Sequence, residues 1–378
     1  MEGLSCKYLM PILVLAFLVS AIIVKTLIPR ITLLAFKRRL FDKLDSRKTH
    51  DSNTIPRLGG LSFFPAFFFS VFLSVLLLSH LCELSKFILI DEVEVIAIIL
   101  SVSVMYILGV VDDIVGVRYR KKFVVQIIIS LLLIASGLYM NNFYGFLGLY
   151  ELPMWFAVPF TLIIYLLIQN SINLIDGIDG LASGLSIIAL LGFTFMFLGM
   201  HMYVYGIMSM SLAGALFVFF YHNVFGRIGK NKKSSRKIFM GDTGSLTIGL
   251  LLGVFVVRIS MYDEKIDYSN LPSNIVYAFA FLIIPTFDVV RVFIRRIRTH
   301  KNPFLPDKTH IHHKLMCLGF SPRRALLIIL FMSLLFGLFS ISLSYYLSVN
   351  WVLLISVTVW TLLNIVISNK IRAINKCR

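Results

Sequence analysis

Residues 93–122 read VEVIAIILSVSVMYILGVVDDIVGVRYRKK: an apolar run ends in two adjacent carboxylates, Asp112 and Asp113, and then in Arg118, Arg120, Lys121 and Lys122. A run of about 20 apolar residues is long enough to cross the hydrocarbon core of a bilayer as a helix. Working outward, the same arrangement recurs along the chain. Spans are predicted at roughly 8–28, 58–81, 93–111, 123–141, 154–172, 181–199, 203–222, 244–262, 274–294, 325–347 and 351–368. The composition agrees, with 58% hydrophobic and 15% charged residues against about 25% charged in a soluble domain. The predicted fold class is therefore all-α: a polytopic membrane protein with about eleven transmembrane helices.

Lys and Arg collect in cytoplasmic loops, so their distribution predicts orientation. Segments 35–57, 112–122, 223–243, 291–324 and 369–378 hold 30 of the 36 basic residues. Lys7, Lys86 and Lys265 fall in the opposite loops, while Lys25, Arg30 and Arg258 lie within or beside spans, where they can snorkel to the interface. The N-terminus is thus expected outside and the C-terminus in the cytoplasm. The net charge of +17 becomes mostly a cytoplasmic basic surface, suited to anionic lipid headgroups or to anionic substrates. Nucleic acid is an unlikely partner on this reading, because no recognition module accompanies the charge. The first span is expected to be retained, since Lys7 makes a weak leader and Lys37, Arg38 and Arg39 follow the apolar run. Cys6, Cys82, Cys317 and Cys377 form no CxxC pair and are read as structural thiols, a Cys6–Cys82 disulfide being conceivable. No soluble domain of ordinary size interrupts the spans, so residues 1–378 are expected to form one membrane domain. Its cytoplasmic loops 35–57, 112–122, 173–180, 223–243 and 295–324 are expected to form the site.

Five segments on that face carry chemistry. PRLGG at 56–60 combines glycines that allow close backbone approach with Arg57, which can hold a phosphate by paired hydrogen bonds. Helix packing and topology explain it equally well. The adjacent acids Asp112 and Asp113 repel one another and are costly at a membrane edge unless a cation or water compensates them. Hard cations such as Mg²⁺ prefer these oxygen ligands, often with one or two carboxylates and the substrate's phosphates. A solvated acid pair is the plain alternative. In NSINLIDGIDGL at 170–181, Asn173, Asp176 and Asp179 share a face if the segment is helical, offering acceptors to a nucleobase, a ribose or the outer shell of a metal. Capping and turn formation account for one Asp-Gly better than for two. GDTGS at 241–245 opens a span, where free N–H groups and the helix dipole favour an anion. Asp242 there can reach a metal or serve only as an N-cap. Finally, DKTHIHHKL at 307–315 places His310, His312 and His313 where they can hydrogen-bond pyrophosphate oxygens. Zinc is disfavoured because the spacing matches no zinc pattern and no cysteine lies close by. His80, His201 and His222 are read as interfacial or packed residues.

Carboxylates, Gly-rich anion sites, basic residues and histidines around one space are what joining two phosphorylated substrates requires. The motifs PRLGG, DDIVGVRYRKKFVVQ at 112–126, NLIDGIDGLASG at 173–184, GDTGS, and NPFLPDKTHIHHKL with LGFSPR downstream at 302–323 cover nearly the whole chain in one order. In this the chain resembles the polyprenyl-phosphate N-acetylhexosamine-1-phosphate transferase family, glycosyltransferase family 4. The resemblance implies ten or eleven spans in the bacterial cytoplasmic (inner) membrane, with the active site facing the cytoplasm. It implies Asp112 and Asp113 as catalytic, Asp242 as the Mg²⁺ ligand (with Mn²⁺ as the alternative ion), and Lys122 on phosphate. It also implies that Asn173, Asp176 and Asp179 hold the uridine part or order the site, and that His310, His312 and His313 hold pyrophosphate and sugar; Arg57, read from its own motif, is grouped with these histidines as a pyrophosphate contact.

The expected reaction moves a sugar-1-phosphate from a UDP-N-acetylhexosamine to undecaprenyl phosphate, releasing UMP and initiating a cell-surface glycan such as O-antigen, teichoic acid or capsule. The His-Ile-His-His form resembles the branch that uses simple UDP-sugars rather than UDP-MurNAc-pentapeptide. GlcNAc is the expected sugar, with GalNAc, FucNAc, QuiNAc and MurNAc-pentapeptide as the alternative donors, and a homodimer is left open. Two rivals belong to other classes. A secondary transporter should show broken helices or repeated halves near the midplane, and a glycosyltransferase that leaves the phosphate behind should release UDP.

Overall fold

The computed structural model describes residues 7–38, 55–81, 91–226, 237–266, 268, 271–300 and 309–376. Parts of loops 35–57, 223–243 and 295–324, and Cys6, Cys82, Cys377 and Asp307, lie outside them. The chain is a helical membrane bundle: α1 Leu9–Arg38, a 3-10 turn Gly59–Ser62 running into α2 Phe63–Leu81, α3 Glu92–Val115, α4 Tyr119–Ala135, α5 Met154–Ile175, α6 Leu181–Gly199, α7 Tyr203–Phe225, α8 Gly241–Ser260, α9 Asn274–Ala280, α10 Ile283–Arg298, α11 Ile311–Cys317, α12 Pro322–Ser344 and α13 Val349–Lys376. Among the described residues nine helices are long and apolar enough to span a membrane unaided, and the pair α9–α10 makes a tenth. α4, at 17 residues, is at the short end of spanning length. Every predicted span coincides with a helix or with this pair.

The ninth span departs from expectation. It is not continuous over 274–294 but bends by 79° between α9 and α10. Pro285 lies in the first turn of α10, where proline is tolerated but cannot extend the hydrogen-bond ladder backward. The break is held by Phe281, whose ring fills space left by Gly192 of α6 and Gly337 of α12, so that a methyl at either glycine would collide with it. Ser333 Oγ donates to the freed Phe281 carbonyl at 3.1 Å, satisfying a group that would otherwise be stranded in the bundle.

α8 is the axis of the bundle and is buried along its whole apolar length. It packs against α3 and α5. Gly249 and Gly253 let the backbone come onto Gln169 and Tyr165 of α5, the small-residue packing that membrane helices use in place of a hydrophobic driving force. Near the far end of α8, Arg258 does not snorkel as the sequence suggested. It is 4% exposed and pairs with Glu94 of α3 at 3.4 Å and with Asp263 at 3.4 Å, while Tyr205 of α7 donates to Glu94. A charge held inside the bundle needs such partners because hydrocarbon cannot solvate it. At this same end a short antiparallel hairpin, β1 Asn142–Phe146 with β2 Leu149–Glu151, interrupts the otherwise all-α architecture. Leu147 N–H donates to Asn350 Oδ1 and Asn350 Nδ2 to the Gly145 carbonyl, which ties the hairpin to the start of α13.

Candidate active site

The motifs meet at the opposite end of the bundle, where α3, α5, α7 and α10 finish and α4, α6 and α8 begin. The positioning starts with backbone. Gly59 and Gly60 N–H donate to the Phe239 and Met240 carbonyls, and Phe239 N–H donates to the Pro56 carbonyl, all at 2.9 Å. PRLGG is thus paired edge to edge with the residues entering GDTGS. No side chain fits at Gly60, whose added Cβ would run into the Gly244 backbone. Gly241, at φ +73°, adopts the left-handed conformation that glycine tolerates, pressed between the Arg57 carbonyl and the Asp113 carboxylate.

Asp113 Oδ1 accepts from Asp242 N–H at 2.8 Å, and its Oδ2 accepts from Thr243 N–H at 2.9 Å and Thr243 Oγ1 at 2.5 Å. Those are orphan donors of the first turn of α8, capped from another helix. The neighbouring acid faces elsewhere. Asp112 Oδ1 accepts from Val117 N–H at 2.5 Å, and its Oδ2 pairs with Lys122 Nζ at 2.5 Å. Lys122 Nζ also reaches Asp242 Oδ2 at 3.1 Å. The remaining Asp242 oxygen accepts from Asn173 Nδ2 at 2.6 Å, and the same nitrogen lies 2.8 Å from Ser245 Oγ. Asp112, Lys122, Asn173 and Asp242 therefore form one cluster, with Asp113 behind it holding the helix that carries Asp242.

The uridine-side triad is not presented as one helical face. α5 ends at Ile175, Asp176 is its exposed C-cap, and Gly180 at φ +81° starts α6. The two Asp-Gly steps break the helix, so only Asn173 remains on it. Asp179 pairs with Lys237 at 2.6 Å. Asn223, which sequence reasoning passed over, links the turn to the same segment by accepting from Gly180 N–H at 2.5 Å and donating to the Ile238 carbonyl at 2.9 Å.

α11 brings the histidines against this turn. The His312 ring occupies the space that Gly177 leaves by lacking a Cβ. It is 1% exposed, with neither ring nitrogen hydrogen-bonded. Burial, reinforced by the neighbouring His313 and His310, pushes its pKa down to about 3, so it stays neutral at physiological pH. His310 instead meets Asp288 of α10, an acid inside the ninth apolar run that sequence reasoning missed; its signal was a carboxylate within a membrane span.

A cavity of about 1060 Å³ opens beside α11, walled by α5, α9, α10 and α13. Its lining runs along α13 from Val349 to Arg372, roughly 35 Å at about 1.5 Å per residue. The wall is apolar over most of this length, including Phe143, Phe160, Phe279 and Trp360, and becomes basic at the site end with Arg291, Arg295, Arg298 and Lys314. Lys314 Nζ donates to Asn364 Oδ1 and Ser368 Oγ. Burial, with Arg291 and Arg295 adding like charge, lowers its pKa to about 8.

Asp112 and Asp242 are the residues that could hold a divalent cation such as Mg²⁺. Two carboxylates, Asp112 and Asp242, converge on a single cationic centre, the Lys122 ammonium. Among the described residues no third His, Cys or acid joins them.

An acid–lysine cluster at the end of a membrane bundle, beside the basic mouth of an apolar groove, is the site this fold presents, and the protein's relatives give its class, a membrane-embedded transferase. The chain belongs to glycosyl transferase family 4, whose pattern matches residues 95–260. It is 32% identical over 94% of its length to a probable undecaprenyl-phosphate N-acetylglucosaminyl 1-phosphate transferase of Bacillus subtilis, covering 88% of that protein. A decaprenyl-phosphate N-acetylglucosaminephosphotransferase of Mycolicibacterium smegmatis is 32% identical over 72% of this chain and 68% of its own. The undecaprenyl-phosphate alpha-N-acetylglucosaminyl 1-phosphate transferase of Escherichia coli K12 is 28% identical over 78% of this chain and 74% of its own.

Proposed function

We propose that the protein transfers N-acetylhexosamine-1-phosphate, with GlcNAc as the sugar, from its UDP conjugate to undecaprenyl phosphate, at the cytoplasmic face of a bacterial inner membrane. The observation that carries this reading is the acid–lysine cluster lying at the same end of the bundle as the basic mouth of a membrane-long apolar groove. One ligand suits both parts of such a groove: a polyprenyl chain along the wall and its phosphate among Arg291, Arg295, Arg298 and Lys314. The bulk of Lys and Arg at this end supports the cytoplasmic assignment, and the names of the relatives support the polyprenyl-phosphate acceptor and the GlcNAc-1-phosphate group.

In the proposed step an oxygen of the lipid phosphate attacks the phosphorus bonded to the sugar. The bond from that phosphorus to the bridging oxygen breaks, and UMP leaves with the electron pair. Asp112 and Asp242 would hold Mg²⁺, which when bound offsets the charge of two phosphorylated reactants. Lys122 keeps the two carboxylates together and contacts phosphate, Asn173 fixes the rotamer of Asp242, and Asp113 positions GDTGS without touching substrate. Asp176 and Asp179 order the turn that receives the uridine part. Arg57, His310 and His313 contact pyrophosphate and sugar, and His312 seats α11 on that turn. Direct transfer needs no enzyme-bound intermediate, because positioning and charge neutralisation suffice.

The test is purified protein with Mg²⁺, undecaprenyl phosphate and a panel of UDP-N-acetylhexosamines, with the released nucleotide identified. UMP formed only when lipid and metal are both present is the expected result, and the fastest donor names the sugar. UDP would mean that the phosphate stays behind, and the reading fails. The groove assignment has its own pH signature. Lys314 is positive below about pH 8 and neutral above it, so its hold on the acceptor phosphate is lost as pH rises. One such charge is worth about 1 kcal/mol, or about fivefold. The KM for undecaprenyl phosphate is expected to rise by about that factor between pH 7 and 9, and Lys314→Met is expected to abolish the rise while leaving the donor KM unchanged.

A further inference from the structure

The three histidines of the HIHH segment are not equivalent in their surroundings. His312 is packed and neutral, as described above. The His310 ring lies parallel to it, with centroids 5.9 Å apart and planes within 6°, but its Nδ1 sits 2.8 Å from Asp288 Oδ2. Asp288 is fully buried, at 0% exposure. Its Oδ2 also accepts from Ile311 N–H at 3.2 Å, and its Oδ1 accepts from Arg291 Nη2 at 2.7 Å. Arg291 in turn donates to the Thr309 carbonyl at 2.6 Å. One carboxylate therefore joins α10 to the residues that lead into α11, and a guanidinium compensates its charge.

We propose that Asp288 is the positioning residue for His310: it accepts a hydrogen bond from Nδ1–H, fixes the ring, and turns Nε2 toward the sugar-diphosphate substrate. This deepens the proposed function and rests on it for the substrate's identity. An ionised carboxylate can only accept, so the contact requires the proton on Nδ1. That leaves Nε2 as the nitrogen that contacts substrate, carrying a proton when the ring is charged. An imidazole backed by a carboxylate is held in one tautomer and one orientation. The charged or titratable groups around the pair are Arg291 and Arg295 of α10 and His312, His313 and Lys314 of α11. Of these, Arg291 contacts the Asp288 carboxylate directly, as does His310 itself.

Two measurements test this. The first uses the wild-type protein with ¹⁵N-labelled histidine, the His310 signals being assigned by their loss in His310→Gln. The proton is expected on Nδ1, and a His310 ring with its lone pair on Nδ1 overturns the proposal whatever the enzyme's substrate proves to be. The second is a double-mutant cycle on sugar-phosphate transfer. Asp288→Asn is expected to lower kcat by about 10- to 100-fold, the scale on which the outer-shell partner of a metal-bound histidine acts. His310→Gln/Asp288→Asn is expected to be no slower than His310→Gln alone, because the acid acts through the histidine. Losses that multiply would make Asp288 a purely structural residue and overturn the proposal. Should the wild type fail to release UMP, the functional reading falls, and the tautomer measurement still decides the role of Asp288.

Discussion

Asp242→Asn is expected to lower turnover by about a thousandfold, the scale on which a preorganised charge at a reacting centre contributes to catalysis. Asp242 lies where three motifs meet: Lys122 bridges it to Asp112, Asn173 orients it, and the capped first turn of α8 carries it. Asparagine keeps the shape and the Asn173 contact but removes the charge. The loss should therefore appear in kcat at saturating substrates, with a raised Mg²⁺ requirement and an unchanged thermal midpoint. Chelation of the wild type by EDTA should reproduce it, and readdition of Mg²⁺ should reverse only the chelation. A variant with full Mg²⁺-dependent activity would remove Asp242 from the metal site.

The adjacent carboxylates are expected to part company on substitution. Asp112 contacts Lys122, one loop N–H and the Asp242 carboxylate, so Asp112→Asn should cost about a thousandfold in kcat with little change in stability. Asp113 spends both oxygens on the first turn of α8. Asp113→Ala strands buried donors, each costing about 1–3 kcal/mol, and should destabilise the protein by about 3 kcal/mol. Its activity should fall because Asp242 loses its mount. Asp113→Asn retains an acceptor and should recover part of the stability. Thermal unfolding in detergent, followed beside turnover, separates the two acids. Equal stability losses in Asp112→Asn and Asp113→Ala would contradict the division of labour drawn from the structure.

The organisation of the chain was legible in its residues because a membrane imposes a length rule. Backbone groups in hydrocarbon must be satisfied within the helix, so about 20 apolar residues announce a span. Each predicted span matched a helix or the bent pair, and the motifs interrupting them gathered at one end. What pattern alone did not resolve was the use of each side chain. Asp112 and Asp113 are neighbours in sequence, but their separate partners come from α4 and α8. Asp176 and Asp179 looked like continuations of an Asn173 face, until two glycines ended the helix and Lys237 claimed Asp179.

The sequence by itself determined a polytopic helical membrane enzyme and the residue types of its site. Helical period, span length and motif order are local properties, carried by consecutive residues. Tertiary structure alone decided the 79° bend of the ninth span, the membrane-long groove beside it, the burial of Arg258 with Glu94, and the pairing of Asp288 with His310. Each depends on residues far apart in the chain: Phe281 seated between Gly192 and Gly337, or a carboxylate 22 positions from its histidine. Packing space and charge compensation are set by neighbours in three dimensions, and no window of sequence contains them.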